Sequence, residues 1–188
     1  MKIKFTVIIT AVLMLCLGVS SGAADLREGF MRYKWGENIL QYEGMERLYS
    51  KKDVIFYRNP GESYAIEDIS IDDVIFGAYK GKLFAVYIAI DTLEKYDVID
   101  RYLRKKYGLP ATKVYTEKYL TTYKWEYQDV TIKLKTDEVK DKMKVAFYYE
   151  KLSRDLNKVT VDDIDKSSYR FFPIDKNKKP EMIPFLAF

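Results

Sequence analysis

The chain of 188 residues contains no histidine, and its one cysteine, Cys16, falls within the first 24 residues. Without histidine there is no Ser-His-Asp or Cys-His machinery. Most zinc and copper sites lose their usual ligands, and acid–base work near neutral pH loses its best-suited side chain. Glycines number 9 and are scattered, with no P-loop and no G-x-G-x-x-G. Charge of one sign is also missing, since 32 basic residues stand against 28 acidic ones. That balance excludes a strongly basic nucleic-acid or membrane-surface protein. Long apolar runs are lacking too, with one exception.

The exception is at the start, "MKIKFTVIITAVLMLCLGVSSGAADL". Lys2 and Lys4 form a basic head, Phe5 to Val19 is apolar, and Ser21-Gly22-Ala23-Ala24 supplies small residues. This pattern predicts a signal peptide over residues 1–24, cleaved near Ala24, and a periplasmic or secreted protein. The run is short for a membrane span of about 20 residues, so the expectation is no stable transmembrane segment after cleavage. Cys16 does not make a lipidation site, because Leu15 before it is not small and the cysteine lies inside the apolar run. Cleavage leaves 30 basic and 28 acidic residues, a net charge of +2, and no cysteine. Disulfides and thiolate chemistry are then impossible.

What is present is aromatic and strand-like, with 17 tyrosines, 10 phenylalanines and 2 tryptophans. "DTLEKYDVIDRYLRKKYGLP", residues 91–110, predicts a helix. Asp91 and Glu94 have capping-box spacing. Tyr96, Ile99, Leu103 and Tyr107 recur at helical period. Late cations and Gly108 then Pro110 suit its end. Residues 74–90 predict a hairpin turning at Lys80-Gly81. Its second strand, Leu83 to Ile90, has no charge and should be central, covered on both faces. Residues 121–136 predict another hairpin turning at Gln128-Asp129, with Tyr127 opposite Val130, Trp125 opposite Ile132 and Tyr123 opposite Leu134. Met143, Val145, Phe147 and Tyr149 continue the alternation in a further strand. Residues 53–58 read as a strand closed by a type II turn at Pro60-Gly61.

In "LREGFMRYKWGEN", Trp35 reads as a core anchor and Gly36 as the entry to a short helix, "ENILQYEG", ended by Gly44. A ligand-stacking Trp35 is the sharper alternative. The predicted fold class is α+β, an antiparallel sheet packed by two helices. The layout also admits two tandem halves, residues 37–90 and 91–152, each a helix followed by about three strands. Residues 25–152 form the domain, and 153–188 a C-terminal extension, partly irregular.

The ordered blocks "GFMRYKWG", "YKGKLFAVYI", "KKYGLP" and "YKWEY", spread over about residues 28–150, resemble a group of uncharacterised exported bacterial proteins. More distantly, the layout is similar to the small α/β domains of outer-membrane assembly lipoproteins and of secreted β-lactamase-inhibitor proteins. The resemblance implies an exported α+β fold and carries no catalytic residue with it. This chain departs from the lipoproteins in lacking a lipobox and from the inhibitors in lacking disulfides.

The one dense carboxylate cluster is "EDISIDD", with Glu67, Asp68, Asp72 and Asp73. It could serve a carboxylate-dependent hydrolase or hold calcium, but its alternation with Ile69 and Ile71 reads as an exposed strand or loop. "VDDIDKSS", 161–168, fails as a calcium loop, because Ser168 and Ile174 stand where glycine and glutamate belong. The aromatic tail "YRFFPIDKNKKPEMIPFLAF" ends in Phe188, as outer-membrane barrels do. The helix at 92–107, Pro180 and Pro184, and the charge-free strand 83–90 oppose a barrel. The expectation is therefore a non-catalytic binding or interaction protein of the bacterial envelope, with no catalytic, metal or cofactor residues and no cofactor. Its partner would be an envelope protein or a small ligand, not nucleic acid. The alternatives are a hydrolase using the Glu67–Asp73 region and an outer-membrane-associated accessory factor.

Overall fold

The computed structural model describes residues 25–71, 74–117, 120–138, 142–156, 161 and 164, with backbone alone over 113–117. The strands are β1 (Gly29–Phe30), β2 (Tyr33–Lys34), β3 (Glu46–Lys51), β4 (Val54–Arg58), β5 (Tyr64–Ile66), β6 (Ile69–Ile71), β7 (Val74–Tyr79), β8 (Lys82–Ile90), β9 (Thr112–Glu117), β10 (Leu120–Tyr127), β11 (Val130–Asp137) and β12 (Lys142–Tyr149). Helix α1 spans Leu93–Tyr107 and a short α2 spans Glu150–Ser153. The fold is mixed α+β but mostly sheet. Eight strands form one sheet in the order β3-β4-β7-β8-β12-β11-β10-β9, and β1-β2 and β5-β6 form two small hairpins. Residues 46–90 thus supply four neighbouring strands and residues 112–149 the other four, with β8 paired antiparallel to β12 at the join.

Local chemistry explains the turns. Lys80 and Gly81 both take positive φ, 49° and 78°, as a two-residue turn matched to strand twist requires. Gln128 also takes positive φ, 55°, and the β10–β11 register pairs Tyr127 with Val130, Trp125 with Ile132 and Tyr123 with Leu134 as expected. Leu83 through Ile88 are all buried, because β8 lies between β7 and β12 and its side chains enter core clusters on both faces of the sheet.

Four expectations are corrected. The segment "ENILQYEG" forms only one 3-10 turn, Ile39–Gln41, with Asn38 capping Leu40 and Tyr42 already extended. A single turn is too short to sustain an α-helix. Tyr42 is instead held by side-chain bonds, its hydroxyl donating to Glu37 at 2.7 Å and accepting from the Lys34 amide at 2.9 Å. At α1 the cap is Thr92, whose hydroxyl accepts from the Lys95 amide at 3.2 Å. Asp91 pairs with the Lys95 ammonium at 3.0 Å rather than forming a capping box with Glu94. The 59–62 turn is closed by Glu62 N–H to Asn59 C=O at 3.3 Å. Gly61 is not among the positive-φ glycines, so the turn is not type II. The Asn59 side chain accepts from the Gly61 amide and holds it otherwise. Finally, β3 and β9 add to the expected strands, and each half carries four sheet strands, not three.

The core lies on both faces. One face packs Phe76, Val86, Ile88, Trp125, Ile132, Leu134, Val145 and Phe147 against Ile99 and Leu103 of α1 and against Phe30, Tyr33, Trp35 and Ile39. Trp35 is a core anchor. Its indole N–H donates to Leu26 C=O at 2.8 Å, and its ring stacks on Tyr149, centroids 6.0 Å apart and 9° from parallel. The opposite face packs Val54, Phe56, Phe84, Tyr87, Ala146 and Tyr148 with Leu156 and Ile164. Leu156 and Ile164 belong to the predicted extension, of which residues 153–156, 161 and 164 are described; its other residues, with the tail 169–188, lie outside the described residues. So does the predicted signal peptide, 1–24. Among the described residues no helix is long and apolar enough to cross a membrane.

Candidate functional site

The carboxylate run comes first. Glu67 takes positive φ, 52°, at the tip between β5 and β6, and both it and Asp68 are exposed. Asp72 and Asp73 lie outside the described residues. Among the described residues no three ligating side chains gather to hold a metal ion.

A denser polar cluster is built where three segments meet. The β1–β2 hairpin turns at Met31-Arg32 and buries Tyr33 completely. The Tyr33 hydroxyl donates to Glu62 Oε2 at 2.6 Å and accepts from Asn59 Nδ2 at 3.2 Å. Tyr64, at the start of β5, donates to the same Glu62 oxygen at 2.9 Å. Arg32 pairs with the other carboxylate oxygen, and Asn59 Nδ2 also reaches Glu43 C=O at 3.0 Å. Gly44, at φ 81°, leaves room for this; a Cβ there would stand 2.8 Å from Asn59 Oδ1. Burial above all, then the bonds to Tyr33 and Glu62, pushes the Tyr64 phenol far above its ordinary range. A phenol held so firmly protonated is no base. Both phenol protons lie on Glu62, so the cluster closes on itself and works as a clasp. Tyr33→Phe is expected to lower stability by about 1–2 kcal/mol, because Asn59 and Glu62 each lose a buried partner. Urea melts that leave the midpoint unmoved would refute that account. Sequence reasoning missed this clasp, since its members span 32 to 64 without periodic spacing.

The third cluster sits on the opposite face. Lys133 and Lys135 of β11 and Lys144 of β12 share it, with Lys135 directly opposite Lys144. Lys144 is fully buried, its ammonium 5.8 Å from the Tyr87 ring centre, and Lys133 lies 5.0 Å from that of Tyr148. Burial first, then Lys135 and Lys133, holds the Lys144 pKa well below its ordinary value. An amine that loses its proton easily is a nucleophile in principle. At 0% exposure, however, no substrate carbonyl can reach it. The signal in sequence was a lysine inside an apolar run, "MKVAF", which reads as outward-facing only if the second face is open.

The last feature is the edge. β3 ends the sheet, and Glu46 through Ser50 are all exposed. It carries two exposed large apolar side chains, Leu48 at 39% and Tyr49 at 51%. Strand-edge amides and carbonyls beside exposed apolar groups can take an added strand. Searches against family models, curated proteins and solved structures found no match to this chain.

Proposed function

We propose that this is an exported protein of the bacterial envelope that acts by binding another protein chain rather than by catalysis. The observation that carries this reading is the exposed edge strand β3 with Leu48 and Tyr49. Tyrosine supplies contact area with few rotors to freeze, which suits a recognition surface. Export, removal of residues 1–24 and a periplasmic or secreted location follow from the leader pattern. The resemblance to exported bacterial proteins and the view of the two four-strand meanders as tandem halves belong to the same proposal. The test places a photo-crosslinking residue at position 49 and irradiates intact cells. We expect a discrete cross-linked species in the envelope fraction, on a chain whose intact mass lacks the first 23 or 24 residues. A full-length chain in the inner membrane would end the export reading. Turnover of glycoside, ester, phosphoester or peptide substrates that vanishes in Asp72→Asn or Asp73→Asn would promote the hydrolase alternative. Cross-linking to an outer-membrane protein would favour the accessory-factor alternative.

A further inference from the structure

Resting on the reading of β3 as a binding edge, we infer that its occupant is the β3 strand of a second copy of this chain. The strand reads Glu46-Arg47-Leu48-Tyr49-Ser50-Lys51. Place two copies antiparallel about a two-fold axis between Leu48 and Tyr49. Glu46 of one then faces Lys51 of the other, Arg47 faces Ser50, and Leu48 faces Tyr49. Both ends carry opposite charges and the centre is apolar, as cross-strand pairing favours. The two-fold repeats each contact, which is the self-complementarity an isologous dimer needs.

The irregularity in β3 narrows the choice of occupant. Arg47 pairs with Tyr57 and Tyr49 with Phe56, so Leu48 is an extra residue on the β4 side. Such a bulge bends the strand and increases its twist, which discourages pairing with an ordinary straight strand. A second copy carries the same bend at the same place, and both bends fall on the dyad. Glu46 already holds Arg58 through Oε2 at 3.1 Å. Its other oxygen can accept from Lys51, since a carboxylate offers two acceptor atoms. The pairing therefore leaves the Glu46–Arg58 contact in place. It would join two eight-stranded sheets into one continuous sheet. The interface is small, so self-association is weak, with a dissociation constant on the order of micromolar or above.

The test uses the purified protein and sedimentation equilibrium over a wide concentration range. Wild type should pass from monomer to dimer as concentration rises. Glu46→Lys sets lysine against lysine at both ends, and Lys51→Glu sets glutamate against glutamate. Each alone should self-associate about tenfold more weakly or worse. Mixed one to one, the two variants face each other with opposite charges at both ends, so a heterodimer should return to within about threefold of wild-type affinity. That recovery also shows that both variants are folded. Wild type that stays monomeric, single variants that dimerise like wild type, or a mixture no better than its parts would each overturn the inference. A monomeric protein that still cross-links through position 49 to a different chain sinks self-pairing alone. A monomer with no cross-link sinks the binding edge as well.

Discussion

Trp125→Ala is expected to destabilise the protein by about 3–5 kcal/mol, more than any other substitution proposed. Trp125 is 2% exposed and stands on the α1 side of the sheet, opposite Ile132. Truncation leaves a void among side chains that include Ile99 and Leu103 of the helix. It also removes a tether. The indole N–H donates to Gly108 C=O at 2.9 Å, so the ring holds the end of α1 against β10. Gly108 is at φ 80° and ψ −164°, a backbone conformation open to glycine because it has no Cβ. The Tyr107–Tyr127 contact, centroids 5.0 Å apart, is the neighbouring link between the same two elements and cannot fill the space. Lys124→Ala is the control. Lys124 points to the other face and pairs with Glu126 at 2.6 Å, a partly exposed contact that contributes little. Its loss should shift stability in urea melts by less than about 0.5 kcal/mol. Equal midpoints for the two variants would contradict the β10–β11 register.

Lys144→Met is expected to abolish a rise of stability with pH that wild type shows. The lysine is fully buried, faces Lys135 across the strand pair and has Lys133 nearby. Tyr87 and Tyr148 line the same face. Its pKa in the folded chain lies well below the ordinary lysine value of 10.5. Between the folded value and 10.5 the unfolded chain therefore binds more protons than the folded one. Stability then rises with pH across that window, and the full penalty applies below the folded pKa. Methionine fills similar volume without a charge to desolvate, so its variant lacks this rise. Wild type should therefore gain stability relative to the variant as pH climbs toward 10.5. Comparing the two cancels titrations they share, such as that of Tyr87, whose phenol burial pushes well above its ordinary range. A difference constant with pH would refute the account.

Elements with one buried face and local turn signals are legible in the sequence. The α1 helix follows from its helical period, the first hairpin from its charge-free run and the Lys80-Gly81 turn, and the register of the second hairpin from alternation, because a one-residue slip there would turn its apolar side chains to the wrong face. β3 escapes because both its faces are exposed. With no buried side there is no period to read, and an edge strand exists only because β4 is there to pair with it. The short helix expected after Trp35 fails for the converse reason. One helical turn has too little internal bonding to hold itself, so the neighbours of Tyr42 decide its path.

By itself the sequence determined which side chains this protein lacks, the charge balance, the leader pattern and the strands whose period is set by burial. Those depend on composition and on spacing of a few residues. The tertiary structure alone decided that both faces of β12 are covered, which three segments bring Tyr33, Asn59, Glu62 and Tyr64 together, and which strands are left at the edges. Each of these depends on contacts between residues distant in the chain. No local pattern encodes them, because the same lysine in the same strand is harmless in water and costly when Leu156 and Ile164 close over that face.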